Sequence, residues 1–109
     1  MTNETSPEGP VPVSKWDVAL EALAKEEQQK LGRPLELEDF RRLAQQYTIR
    51  LDDIMVTMFE LAIHGEWQYR NSSGQPQAIT RTLLEGLTAG GRLKDEDLKT
   101  FSGTWIPQR

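Results

Sequence analysis

The chain has 109 residues, and its 13 Lys and Arg against 17 Asp and Glu give a formal net charge of −4. That length fits a single domain. Because the sequence contains no Cys and one His, disulfides, thiol catalysis and multi-histidine metal sites are excluded. No apolar run approaches the roughly 18 residues of a membrane span, and Met1–Val13 is too polar for a signal peptide. We therefore expect a cytoplasmic protein with no membrane partner.

The first residues differ in composition from the rest of the chain. Met1–Val13 holds three of the six prolines, and it offers too little apolar surface to offset the entropy of ordering. We expect a disordered leader over residues 1–13 and a single domain over residues 14–109.

The first helix is predicted over Lys15–Leu31. Ser14 followed by Asp17 resembles a capping box at its start, and Gly32 is typical of a helix end. Its apolar residues follow the helical period and predict one buried face: Trp16, Leu20, Leu23, Ala24 and Leu31.

A second helix is predicted after Pro34. The alternation in Leu35–Glu38 could form a short strand, but it fits the start of a helix better because carboxylates gather there. The residues of its expected core face are Leu37, Phe40, Leu43, Ala44 and Tyr47. Thr48–Arg50 breaks the pattern and is interpreted as a turn.

The third helix, Leu51–His64, is the most apolar stretch of the chain and is expected at the centre of the fold. Its polar residues form one narrow stripe at helical spacing, and we expect that stripe to face solvent: Asp53, Thr57, Glu60 and His64.

After Gly65 the period changes from 3.6 residues to 2. Glu66–Arg70 alternates aromatic and polar residues, and Gln77–Thr80 is expected to return beside it as a β-hairpin. Short helices are predicted over Thr82–Leu87 and Lys94–Phe101, and Trp105 and Ile106 are expected to dock the end of the chain.

Three helices, a short turn between the second and third, and a hairpin resemble the winged helix-turn-helix domains. Phe40–Tyr47 would supply the support helix, Thr48–Arg50 the turn, Leu51–His64 the recognition helix and Trp67–Thr80 the wing. The expected fold class is therefore α+β and mostly helical, with a winged-helix-like three-helix core, a β-hairpin and short C-terminal helices.

The resemblance implies binding to duplex DNA, with a helix in the major groove and the wing along the backbone. Arg41, Arg42, Arg50 and Arg70 are the candidate phosphate contacts, and Thr57 is the candidate base contact. The charge pattern opposes this reading, because the stripe on the third helix is acidic and the net charge is −4. Arg41 and Arg42 can also pair with the carboxylates three residues before them.

The competing hypothesis is a protein-interaction domain that binds a protein partner or a second copy of itself. Asp53, Glu60 and His64 are its candidate partner-binding residues, since an acidic stripe on a central helix suits a basic partner. Catalysis is disfavoured because Glu60 and His64 lie four residues apart on an exposed face, where an ion pair is the usual outcome. No cofactor or metal is expected. The sequence thus favours a non-catalytic regulatory or adaptor domain, with a DNA-binding transcriptional regulator as the alternative.

Overall fold

Helices and short strands alternate along the chain in the computed structural model, which describes residues 16–108. In chain order the elements are α1 (Val18–Leu31), β1 (Leu35–Glu36), α2 (Leu37–Gln46), α3 (Leu51–Ile63), β2 (Trp67–Arg70), α4 (Arg81–Leu87), α5 (Asp95–Leu98) and β3 (Thr104–Pro107). The fold is α+β and mostly helical, as predicted. The predicted leader over residues 1–13, and Ser14 with its expected cap, lie outside the described residues.

Helix α1 starts at Val18 because Asp17 caps it. The Asp17 carboxylate accepts hydrogen bonds from the backbone N–H groups of Ala19 at 2.9 Å and Leu20 at 3.2 Å, which satisfies donors that the helix itself cannot. Asp17 therefore precedes the helix, and the prediction that it lies inside the first turn is wrong. At the other end Gly32 adopts the left-handed conformation, with φ 66°, as predicted from its place after Leu31.

Both interpretations of Leu35–Glu38 are partly realised. Leu35–Glu36 forms strand β1, and the chain enters α2 immediately afterwards. Asp39 and Glu36 make the transition from strand to helix through two reciprocal hydrogen bonds. The Asp39 carboxylate accepts the Glu36 N–H at 2.8 Å, and the Glu36 side chain accepts the Asp39 N–H. This reciprocal capping box allows a strand to turn into a helix with no intervening loop.

The predicted core face of α2 is confirmed at Phe40 and Leu43, which are buried. Tyr47 was expected beside them, but it is 45% exposed. The helix ends at Gln46 and Tyr47 is its C-cap, so the chain leaves the helical path before its ring can point inward. Thr48 then takes a left-handed conformation with φ 55°, which tightens the turn into α3.

Helix α3 lies at the centre of the molecule, as its composition predicts. It contacts α1, α2, β2 and α4, and its N-terminal half and C-terminal half both carry buried side chains. These core residues are Ile54, Met55, Met58, Phe59 and Leu61.

The sheet is antiparallel, with the strand order β1-β3-β2. The central strand is β3, near the C-terminal end of the described residues, and its Trp105 pairs with Leu35 on one side and Tyr69 on the other. Trp105 is completely buried, so the prediction that it docks the end of the chain is confirmed.

The predicted β-hairpin over Trp67–Thr80 is wrong. The return segment meets β2 through an isolated bridge between Arg70 and Pro76 and through the Gln77 N–H, which donates to the Tyr69 carbonyl at 2.9 Å. Residues 77–80 form no strand, and the full partner of β2 is β3, from much later in the chain. The connection between the two strands instead contains α4 and α5.

Candidate functional site

The solvent-facing edge of α3 differs from the predicted stripe most at Thr57, and the Glu60 side chain is also only 15% exposed. Thr57 is only 4% exposed, and its hydroxyl donates to the Asp53 carbonyl at 3.0 Å. Because that bond satisfies the hydroxyl within the helix, Thr57 can be buried without losing a hydrogen bond. The prediction that Thr57 faces solvent is wrong, and the half-buried Val56 takes its place on the edge, between Asp53 and Glu60.

This edge forms one wall of a groove of about 640 Å³ that we call the α1–α3 groove. The start of α1 provides the other wall, and the turn before α3 closes one end. Its lining residues are Trp16, Asp17, Leu20, Ile49, Asp53, Val56, Thr57 and Glu60. The lining is therefore apolar and acidic, and no Lys, Arg or His of residues 16–108 belongs to it.

Glu60 is held at the edge of the groove by a cation from outside it. The Arg81 guanidinium donates to both Glu60 carboxylate oxygens at 2.6 Å, and this hydrogen bonding raises the pKa of Arg81 above its ordinary value. His64 Nε2 lies 3.7 Å from Glu60, and the His64 ring lies 5.3 Å from the Trp16 ring. The predicted proximity of Glu60 and His64 is confirmed, and both side chains have further partners.

The first two candidate phosphate contacts hold helices together. Arg41 Nη1 lies 2.7 Å from Asp95 of α5 and its Nε lies 3.4 Å from Glu38. The Arg41 hydrogen bond lowers the pKa of Asp95. Arg42 Nη2 lies 2.7 Å from Glu27 of α1 and 3.2 Å from Asp39. The expected pairing with the carboxylates three residues earlier is confirmed, and each arginine has a second partner far away in the sequence.

The other two candidate phosphate contacts, Arg50 and Arg70, have weaker side-chain partners within the protein. Arg50 Nε lies 3.7 Å from Asp52, at the start of α3. Arg70, on β2, donates from Nε to the Gln68 side chain at 2.9 Å. These two guanidinium groups are therefore the ones most readily available to an anion.

The buried carboxyl group with a shifted pKa is Asp39, which lies away from the groove. Burial opposes ionisation of this carboxyl, but hydrogen bonds from Arg33, from the Glu36 N–H and from Arg42 outweigh it and hold the pKa of Asp39 below its ordinary value. Arg33 donates through both terminal nitrogens, at 2.8 and 3.0 Å. The cluster fixes the start of α2.

A second cavity, of about 460 Å³, opens where β2 and the segment after Pro76 diverge. Trp67, Tyr69, Gln77 and Ile79 help to line it, and its lining includes no charged side chain. Within the described residues no group of three or more His, Cys, Asp or Glu side chains is placed to hold a metal ion. The helices described here are all too short or too polar to cross a membrane.

The sequence predicts Trp16 and Leu20 on the core face of the first helix and Ile49 in a turn, and it gives Val56 no role. Trp16, Leu20, Ile49 and Val56 do pack against the core, but each is only partly buried. A signal was present on α3, where Val56 lies three residues after Asp53 and four before Glu60, and so on the same face.

Neither a scan against protein-family models nor searches of curated proteins and of solved structures finds a match to this chain.

Proposed function

We propose that this chain is a small, non-catalytic regulatory or adaptor domain that binds a protein partner through the α1–α3 groove. The observation that carries the proposal is the composition of that groove. Asp17, Asp53 and Glu60 border a floor of half-buried apolar side chains along the central helix. Protein interfaces combine an apolar centre with a polar rim in this way.

The electrostatics favour a protein over a nucleic acid. Phosphate binding requires cations that can exchange their partners for phosphates. Arg41 and Arg42 each bridge two carboxylates, so a phosphate would have to displace contacts that join helices. The net charge of −4 provides no attractive field to compensate.

The alternative is a DNA-binding regulator of winged-helix type. It is favoured by the succession of α2, a tight turn and α3, with β1 preceding α2 and a β1-β3-β2 sheet. In this alternative Arg50 and Arg70 are the strongest phosphate contacts, since neither is held by a close ion pair. Thr57 is a poor base contact because it is buried.

Titration of a fluorescent duplex at low and moderate salt separates the two functions. We expect no binding at either salt concentration. Binding that weakens steeply with salt, with a slope reduced in Arg50→Ala or Arg70→Ala, would establish the DNA alternative instead.

The protein partner is tested by placing a photoreactive amino acid at Val56, in the groove, and at Glu96, on α5, as the control. Cross-linking in cells followed by mass spectrometry is expected to identify one protein that depends on the Val56 site, and the purified pair should then bind directly. Equal cross-linking from both sites, or from neither, would contradict a specific partner in the groove.

A further inference from the structure

We infer that the segment bound in the α1–α3 groove is a basic amphipathic peptide of the partner protein. The inference rests on the proposed function and specifies its ligand. The partner's Lys or Arg would lie against Asp53 while an adjacent apolar side chain packs on Val56.

The floor of the groove suits an apolar anchor. Leu20 of α1, Val56 of α3 and Trp16 just before α1 contribute half-buried side chains, so a single apolar side chain inserted between them would contact both walls. Burying such surface contributes about 25 cal/mol per Å², and a volume of about 640 Å³ can hold several side chains of a helix or an extended segment.

The carboxylates of the groove are not equivalent. Asp17 accepts two backbone N–H groups at the start of α1, and Glu60 is bound by Arg81. Asp53 is exposed and has no ion pair within residues 16–108. Asp53, in the first turn of α3, is thus a carboxylate of the groove with no cation beside it in the described part of the chain. Since Asp17 caps α1, Asp53 is the one that a cation from outside would approach.

Charge complementarity selects this occupant over the others. A second copy of the chain docked groove to groove would bring like charges against each other, which is destabilising. The chain's own residues 1–14 do not suit the groove either, because they carry Glu4 and Glu8 and the first Lys or Arg is Lys15. Nucleic acids and anionic lipid surfaces would be repelled by Asp53 for the same reason.

The probe is a synthetic amphipathic peptide of Leu and Lys, with a second peptide in which Glu replaces every Lys. Binding of each to the full chain is followed by amide chemical shifts. We expect the Lys peptide to shift the amides of Leu20, Asp53 and Val56 first and most, and the Glu peptide to shift none of them.

Two matched substitutions test whether the Lys peptide is attracted by the charge at Asp53 or by the net charge of the protein. Asp53→Lys and Glu96→Lys make the same change in net charge, and both replace an acidic residue in the first turn of a helix. We expect Asp53→Lys to weaken binding of the Lys peptide about tenfold, equivalent to about 1.4 kcal/mol, and Glu96→Lys to weaken it by about twofold or less through the net charge alone. Asp53→Asn should fall between them. Thermal unfolding of each variant verifies that it is folded.

Equal effects of Asp53→Lys and Glu96→Lys, or shifts that avoid the groove, would overturn the inference. The cross-linking experiment distinguishes failure of this inference from failure of the proposed function. If Val56 cross-links a cellular partner whose contacting segment is not basic, then the groove binds proteins and only the basic ligand is wrong. If the Val56 site captures no partner, the proposed function itself is wrong.

Discussion

The Arg42 guanidinium donates to the Glu27 carboxylate at 2.7 Å and thereby joins α2 to α1. Glu27 is only 5% exposed, so its charge is largely removed from water and depends on that contact. The same Arg42 nitrogen also reaches Asp39 at 3.2 Å. A residue that the sequence offered as a phosphate contact is therefore part of the packing between the first two helices.

Arg42→Ala is expected to lower the free energy of unfolding by about 1–2 kcal/mol, because the buried Glu27 carboxylate loses its hydrogen-bonded partner and keeps only the more distant Lys30, at 4.0 Å, while Arg42 itself is partly screened by solvent. Arg50→Ala is the matched control. It removes an exposed arginine 3.7 Å from Asp52 and should change stability by about 0.5 kcal/mol or less. Urea unfolding of both variants measures the difference, and equal values would contradict the structural role of Arg42.

Asp39→Asn is expected to destabilise the protein at neutral pH by about 2 kcal/mol, since the carboxylate accepts charge-assisted hydrogen bonds from Arg33 and Arg42. The lowered pKa of Asp39 also predicts a pH dependence. Its stabilising contribution is complete above the unfolded-state pKa, about 3.9. The contribution is lost as the pH falls from there through the lower pKa of the folded state.

The measurement is the free energy of unfolding from neutral pH to below about pH 4. The wild-type protein should lose stability steeply on acidification, and Asp39→Asn should show a shallower slope. Asp95→Asn is the control, because that exposed carboxyl also has a lowered pKa, through its hydrogen bond with Arg41, but lies outside the Asp39 cluster. An unchanged slope in Asp39→Asn would show that other carboxyls dominate acid unfolding.

The elements that the sequence predicted well depend on local patterns. Leu51–His64 is so apolar that no position but the centre could bury it, and the helix was found there one residue shorter. Strand pairing was not predictable in the same way. The alternation in Trp67–Arg70 indicates a strand, but nothing near it in the sequence shows that its partner is β3 and not the segment after Pro76.

The candidate site shows the same division between local and distant contacts. The pairs of Arg41 with Glu38 and of Arg42 with Asp39 follow from helical spacing and were predicted. The contacts of these arginines with Asp95 and Glu27 require the folded chain. On α3 the period placed Thr57 on the solvent edge, but its hydroxyl bonds to its own helix, so burial cost little and Val56 became the edge residue.

Gly86→Ala is expected to stabilise the protein by about 0.5–1 kcal/mol. Gly86 lies inside α4, and a Cβ at this position would contact nothing within 4 Å. Alanine therefore adds helix propensity and restricts the unfolded chain without steric cost. Thermal or urea unfolding measures the change, and a loss of stability would show that α4 must fray or bend at this residue.

Gly103→Ala is expected to destabilise the protein by about 3 kcal/mol or more, because no side chain fits where β3 approaches the end of β2. A Cβ on Gly103 would overlap the Arg70 carbonyl oxygen and lie 2.8 Å from the carbonyl carbon of Asn71. The Gly103 N–H also donates to the Tyr69 hydroxyl at 3.0 Å, so moving the backbone apart would break that buried bond as well. Gly90→Ala is the control, since a Cβ there meets open space, and it should leave stability nearly unchanged. If both variants unfold at the same urea concentration, the chain can separate these two strands at no cost, and the close approach of Gly103 to Arg70 does not contribute to stability.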